Sequence, residues 1–303
     1  MFSLAIHGGA GTITRAQMSP EKEMAYIQAL NQALTIGETI LRNGGTALDA
    51  VEKTAIHLED CELFNAGRGS VFTAEGRHEM DACIMRGDTL EAGAVAGISN
   101  LKNPVRVARA IMEKSEHVFL CGEGAMEFAK MHQLDTETDA YFHTDFRYHQ
   151  WQQAKAEGRI LLDHTEKKFG TIGAVAMDLF GNLAASTSTG GMTNKRWGRI
   201  GDSPVVGAGT YANNSSAAIS CTGHGEFFIR GIVAYDVCCL IEYKGMSLQE
   251  ACEKVILDKM VKLGGEGGLI AVDAKGNSAL VFNSEGMYRG FVNQATRSVL
   301  IYS

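Results

Sequence analysis

The chain has 303 residues, 45% of them apolar, and a formal net charge of −7. That composition suits a folded protein with a sizeable core and argues against a disordered chain or a general nucleic-acid binder. Thirty-five glycines against three prolines predict many tight turns and no Pro-rich linker, and no stretch approaches the roughly 20 apolar residues of a membrane span.

Phe2 to Ile6 reads as a buried strand, ended by the glycines of His7-Gly8-Gly9-Ala10-Gly11. A long helix follows, with Ser19 as N-cap, Pro20 in the first turn, and Ile27, Leu30, Leu34 and Leu41 at helical spacing up to Gly44-Gly45. Thr46 to about Asp60 predicts a second amphipathic helix. Met80–Met85 and Ala92–Ile98 are strand-like. Asn103 caps a third helix running through Met112, and Gly122 to His132 is a fourth. Residues about 134 to 168 are polar with weak periodicity. Tyr148 and Trp151 dock the first part on the body, and about 157–170 is expected to be an exposed, mobile linker.

The pattern then changes. Thr171–Leu179, the turn Phe180-Gly181-Asn182 and Leu183–Ser188 predict a β-hairpin. Ala217–Cys221 is another strand. Gly225 to about Tyr243 is a helix apolar on most faces, Ser247–Leu263 is amphipathic, and Gly268–Phe282 is a second hairpin. These elements imply one compact α/β or α+β unit with sheets between helical layers.

Seven cysteines, an odd number with no CxxC pair, point to reduced thiols in a cytoplasmic protein rather than disulfides or structural zinc. The N-terminus has no basic segment and too short an apolar run for a signal peptide. The chain lacks a phosphate loop, a strand-to-helix GxGxxG, HExxH and a G-x-S-x-G elbow.

The most informative stretch is Lys168-Phe169-Gly170-Thr171-Ile172-Gly173-Ala174-Val175-Ala176. If the Gly170–Thr171 bond is cut, Thr171 gains a free α-amine beside its own hydroxyl, so one residue holds nucleophile and base. Pairing around the hairpin turn brings Thr189 close to Thr171. Cys221-Thr222-Gly223-His224-Gly225-Glu226 is a glycine-rich turn before a helix, able to aim backbone N–H groups at an oxyanion. Arg199 and Asp202 share a loop; together they can hold a carboxylate and an ammonium, as an α-amino-acid moiety requires.

Nine segments together resemble the plant-type asparaginase/isoaspartyl peptidase family of N-terminal-nucleophile hydrolases. Besides the segment around Thr171, they are His7-Gly8-Gly9-Ala10-Gly11, Leu63-Phe64-Asn65-Ala66-Gly67, Met80-Asp81-Ala82, Ala92-Gly93-Ala94-Val95-Ala96, Asn103-Pro104-Val105, Ser186-Thr187-Ser188-Thr189-Gly190-Gly191, Gly198-Arg199-Ile200-Gly201-Asp202-Ser203-Pro204 and Cys221-Thr222-Gly223. The resemblance implies a four-layer αββα sandwich, cut into a 1–170 and a 171–303 subunit that together form one domain. It implies Thr171 as nucleophile, Thr189 as its support, and Thr222 and Gly223 as the oxyanion hole. Arg199 would take the substrate α-carboxylate and Asp202 its α-amine, with Asn65 and Gly225 lining the site and His224 a passive wall.

No catalytic cofactor is implied. A structural sodium ion would sit on the main-chain carbonyls of Leu58, Glu59, Cys61, Phe64, Ala66 and Arg68. The expected substrates are L-asparagine and β-aspartyl dipeptides, and the expected assembly is a homodimer of two-fragment units, with neither nucleic acid nor membrane as partner. The competing readings are a glycosylasparaginase-like amidohydrolase and an uncut aspartyl-binding protein without activity.

Overall fold

The computed structural model describes residues 1–157 and 170–303. Residues 158–169 of the expected linker lie outside the described residues. Strand β1 (Ser3–Gly11) opens the chain. Helix α1 (Pro20–Arg42) starts where the Ser19 hydroxyl accepts the Lys22 N–H, with Pro20, Glu21 and Glu23 in its first turn. Helix α2 (Ala47–Glu59) is capped in the same way by Thr46 on the Asp49 N–H, and Asp178 accepts the Ala47 N–H. Then come β2 (Met80–Arg86), β3 (Ala92–Ile98), α3 (Pro104–Lys114), β4 (Phe119–Cys121) and α4 (Gly122–Met131). The polar stretch after residue 134 contains α5 (Asp139–Phe142) and α6 (Asp145–Ala156), and Trp151 of α6 stacks on Phe72.

The C-terminal part begins with the hairpin β5 (Ile172–Met177) and β6 (Leu183–Thr189). It continues through β7 (Thr210–Ala212), β8 (Ala217–Gly223), α7 (Gly225–Gly231), α8 (Val233–Lys244) and α9 (Leu248–Glu253), which runs on through a π turn at Lys254–Met260. After α10 (Val261–Leu263), the strands β9 (Gly267–Asp273), β10 (Ser278–Phe282), β11 (Gly286–Asn293) and β12 (Arg297–Tyr302) complete the chain.

Eight strands form one sheet, ordered β12-β11-β1-β5-β6-β2-β3-β4, and four form a second, ordered β10-β9-β8-β7. Helices α1, α2 and α3 pack on the large sheet, whose strands β1, β5 and β6 also contact β8 and β9 of the small one; α8 and α9 lie on the small sheet. The protein is thus a mixed α/β fold of two sheets flanked by helices. Apolar clusters fill each interface: Leu4, Leu30 and Val51 under the first helices, Val175, Ala185 and Ile270 between the sheets, and Phe228, Val237 and Val255 beneath the last helices. All seven cysteines are free, and no helix among the described residues is long and apolar enough to cross a membrane.

Two expectations need correction, and a third difference is an addition. First, the glycines after His7 do not end the first strand. β1 continues to Gly11 through a bulge between His7 and Gly9, where Gly9 takes φ +115°; a methyl at Gly8 would run into the Phe64 ring. Second, the helix predicted from Gly225 to Tyr243 is broken at Ile232, which adopts the left-handed conformation at φ +47°. The break frees the Ala234 and Tyr235 N–H groups to bond the Ala208 and Gly207 carbonyls at 3.1 and 2.8 Å. Third, β11 and β12 had no assignment from the sequence. β11 pairs with β1 and carries β12, one of the sheet's two edge strands.

Candidate active site

The β5–β6 hairpin sets the centre of the site. Asp178 shapes its turn by accepting the Phe180 and Asn182 N–H groups, and the register places Ile172 opposite Ser188. One residue outward, Thr171 therefore meets Thr189. The Thr171 hydroxyl donates to Thr189 Oγ1 at 3.1 Å, Thr189 donates to the Gly170 carbonyl at 3.1 Å, and the Gly191 N–H donates to Thr189 Oγ1 at 3.0 Å. Thr189 thus both receives the Thr171 proton donor and polarises the carbonyl that precedes Thr171. Both threonines are buried.

Asn65 ties the far end of β6, just past Thr189, to the N-terminal part of the chain. Its Nδ2 donates to the Gly191 carbonyl at 2.7 Å, its Oδ1 accepts the Val71 N–H at 3.0 Å, and its own carbonyl accepts the Gly190 N–H. A methyl at Gly170 would strike the Asn65 Cβ, so only glycine leaves room for the bond at this spot.

Beneath Thr171 runs a chain of buried polar groups absent from the sequence-based site. His7 Nδ1 lies 3.0 Å from the Thr171 carbonyl and Nε2 lies 2.9 Å from Ser220 Oγ. Burial holds the His7 imidazole neutral, lowering its pKa to about 3 against the opposing pull of the Thr171 carbonyl. A neutral ring facing a carbonyl carries its proton on Nδ1, so Nε2 accepts from Ser220. Ser220 Oγ sits 2.7 Å from Thr187 Oγ1, to which the Thr210 hydroxyl donates at 2.6 Å. The relay fixes the backbone of Thr171 from below. Gly173 makes space for it, since a methyl there would overlap both Ser220 Oγ and His7 Nε2.

Arg199, Asp202 and Gly225 also converge. A methyl on Gly225 would come within 2.8 Å of Asp202 Oδ1 and 2.9 Å of Arg199 Nη2, so the bare glycine lets both side chains close on the start of α7. Asp202 is buried and its Oδ2 has no hydrogen-bond partner. Burial raises its carboxyl to about 7, against the lowering effect of Arg199. Arg199 is held by Glu226, a residue the sequence reading did not single out. Burial works against ionised Glu226, but the His224 and Arg199 hydrogen bonds hold its carboxyl well below the usual carboxylate range. His224, expected as a passive wall, lies 3.3 Å from Glu226 Oε2. Thr222 and Gly223 end β8 one step before this cluster, and Thr222 Oγ1 accepts the Ala10 N–H at 3.3 Å.

The Leu58–Arg68 loop coils on its own carbonyls. Those of Leu58, Cys61, Phe64 and Ala66 accept N–H groups of Cys61, Phe64, Ala66 and Gly69 at 3.0–3.3 Å. Gly67, at φ +52°, and Gly69 let the Glu59, Glu62 and Phe64 carbonyls crowd inward. The Leu58 carbonyl takes two N–H groups, from Asp60 and Cys61, whereas the Cys61, Phe64 and Ala66 carbonyls take one each, and oxygens with a lone pair left suit a hard monovalent cation. Among the described residues, no group of three or more His, Cys, Asp or Glu side chains is placed to hold a metal.

A polar residue inside an apolar strand demands a buried partner, and that signal could have marked His7. Nothing local marks Glu226, which meets Arg199 across 27 residues of chain.

The family model described as "Asparaginase" matches residues 1–301. The chain is 55% identical over 294 residues to "Isoaspartyl peptidase" of Escherichia coli strain K12, covering 95% of this chain and 92% of the relative. It is 56% identical to the protein of the same name from Salmonella typhimurium, covering 95% and 94%. It is 41% identical over 307 residues to "Plant-type L-asparaginase" of Pyrococcus abyssi, covering 97% of each chain.

Proposed function

The chain belongs to the plant-type asparaginase/isoaspartyl peptidase family, and from that premise we propose how its residues perform the reaction. It is a hydrolase of isoaspartyl peptides and L-asparagine. The observation that carries the residue assignment is the contact chain from Thr171 through Thr189 to the Gly170 carbonyl.

Two stages follow. In the first, Thr171 Oγ1 attacks the Gly170 carbonyl carbon while its proton passes to Thr189, whose own hydroxyl supports the developing oxyanion. The C–N bond breaks, the freed amine takes a proton, and water hydrolyses the ester. The resulting subunits, 1–170 and 171–303, stay together in an αββα sandwich of the N-terminal-nucleophile type, as expected for chains whose strands share one sheet. In the second stage the Thr171 amine is the base and its hydroxyl attacks the side-chain carbonyl of an L-aspartyl substrate. A β-aspartyl ester forms, ammonia or an amino acid leaves, and water regenerates Thr171. Thr222 and Gly223 stabilise the oxyanion, Arg199 holds the α-carboxylate, Asp202 the α-ammonium, and Asn65 and Gly225 shape the walls.

Catalysis so described uses only groups of the chain itself. A sodium ion on the Leu58–Arg68 loop would be structural, and replacing sodium by choline should then lower Tm. Two-fragment units pair as a homodimer in this reading.

The test is intact mass analysis of the purified protein during incubation, followed by ammonia and dipeptide assays. A fragment beginning at Thr171, with activity rising alongside it, is the expected result. An uncut chain that hydrolyses L-asparagine would overturn the assignment of Thr171.

A further inference from the structure

Arg199 keeps only part of its guanidinium for a ligand. Its Nε and Nη2 donate to the two oxygens of Glu226 at 2.8 and 2.9 Å, a side-on bidentate pair. A guanidinium has five N–H donors in one plane. The pair uses Nε–H and one Nη2 proton, which leaves the end-on edge formed by Nη1 and the second Nη2 proton.

That edge has a direction. A methyl at Gly191 would lie 3.6 Å from Arg199 Nη1, and the Gly191 N–H is bonded to Thr189 Oγ1. The occupied edge faces α7, while the remaining edge lies between Gly201 of its own loop and Gly191, two residues past Thr189 at the end of β6. The Arg199 side chain is 18% exposed and Glu226 44%, so the carboxylate reaches inward from the rim to a largely enclosed guanidinium. His224 Nε2 lies 3.3 Å from Glu226 Oε2, the oxygen that also accepts from Arg199 Nη2, and so adds a second hold on the carboxylate.

We propose that Glu226 is a positioning residue for substrate recognition: it clamps Arg199 side-on so that the end-on edge meets the α-carboxylate of an aspartyl substrate. Glu226 then helps select ligands that keep this carboxylate, although it does not touch them. The inference rests on Arg199 being the carboxylate anchor, as assigned above. It also accounts for a carboxylate beside a site that must attract another one. Side-on pairing sets the plane of the fork, and an Arg side chain without it spreads over several rotamers.

The test compares fully cut wild type, Glu226→Ala, Glu226→Gln and Arg199→Ala. For each, kcat and KM are measured with L-asparagine, together with inhibition by 3-aminopropanamide, which is asparagine without its α-carboxylate. Glu226→Ala should raise KM about tenfold with kcat within about twofold, and leave the 3-aminopropanamide Ki within about twofold. Glu226→Gln should fall between, because its amide oxygen still accepts one guanidinium N–H. This variant also carries the test if Glu226→Ala fails to mature.

An unchanged or lowered KM would overturn the proposal, since Glu226 would then be a bystander or a competitor for Arg199. Equal weakening of both ligands would overturn it too, as general damage to the site. Arg199→Ala separates the two levels. If it erases the preference for asparagine while Glu226→Ala does not, this inference alone fails. If it leaves the preference intact, the anchor assignment fails with it.

Discussion

Replacing Asp202 by Asn should stabilise the protein, and by an amount that grows with pH. The carboxyl is buried, one oxygen has no partner, and its pKa is raised to about 7. A folded-state pKa above the unfolded value means that the native state holds a proton the unfolded state has lost. Stability therefore falls as pH rises from about 4 to about 7. From 3.8 to about 7, at 1.36 kcal/mol per pKa unit, the burden at pH 8 is about 4 kcal/mol. Asn mimics the protonated form and escapes it, so the gain should be under about 1 kcal/mol at pH 4 and near 4 kcal/mol at pH 8, or about 6 °C in Tm.

The assay is thermal and urea unfolding across pH 4–8, with and without Asp202→Asn, in a Thr171→Ala chain that stays in one piece. His7, which disfavours folding increasingly as pH falls below 6.5, contributes equally to both proteins and cancels. A gain that does not grow with pH, or a less stable variant at pH 8, would refute the reasoning. The same substitution removes the negative group assigned to the substrate ammonium, so KM for L-asparagine should rise about a hundredfold. Stability would thus be traded for binding.

Thr189→Val keeps the volume but strips the hydroxyl shared by Thr171, Gly170 and Gly191, and self-cutting should slow about 10²–10³-fold in timed gels. His7→Phe leaves the buried Thr171 carbonyl without its partner and the Ser220 hydroxyl with Thr187 alone, so unfolding free energy should drop about 1–3 kcal/mol in urea titrations; an unchanged midpoint would remove His7 from the support of Thr171. In wild type, KM for L-asparagine should climb as pH falls below about 7, approaching tenfold per pH unit, because protonated Asp202 no longer attracts the ammonium; a flat KM from pH 5.5 to 8 would contradict that role.

Much of this protein is legible along the chain because the signals are local. Ser19 and Thr46 cap the helices that follow them, since capping needs only three residues. The Phe180-Gly181-Asn182 turn specifies a hairpin, and its period of two brings Thr171 to Thr189 without knowledge of any other strand. Tertiary structure decided what local signals do not contain. Gly8 and Gly9 look like a stop, yet pairing with β11 carries the strand on through a bulge, and the Phe64 ring leaves no room for a side chain at Gly8. Ile232 sits in an apolar helical pattern, yet the Gly207 and Ala208 carbonyls reward a break that local sterics oppose. His7 finds Ser220 213 residues away, and Arg199 finds Glu226 on another element. Short-range hydrogen bonds are written in neighbouring residues. Burial, the pKa values it shifts and the partners of a buried charge exist only once distant segments have excluded water from the space between them.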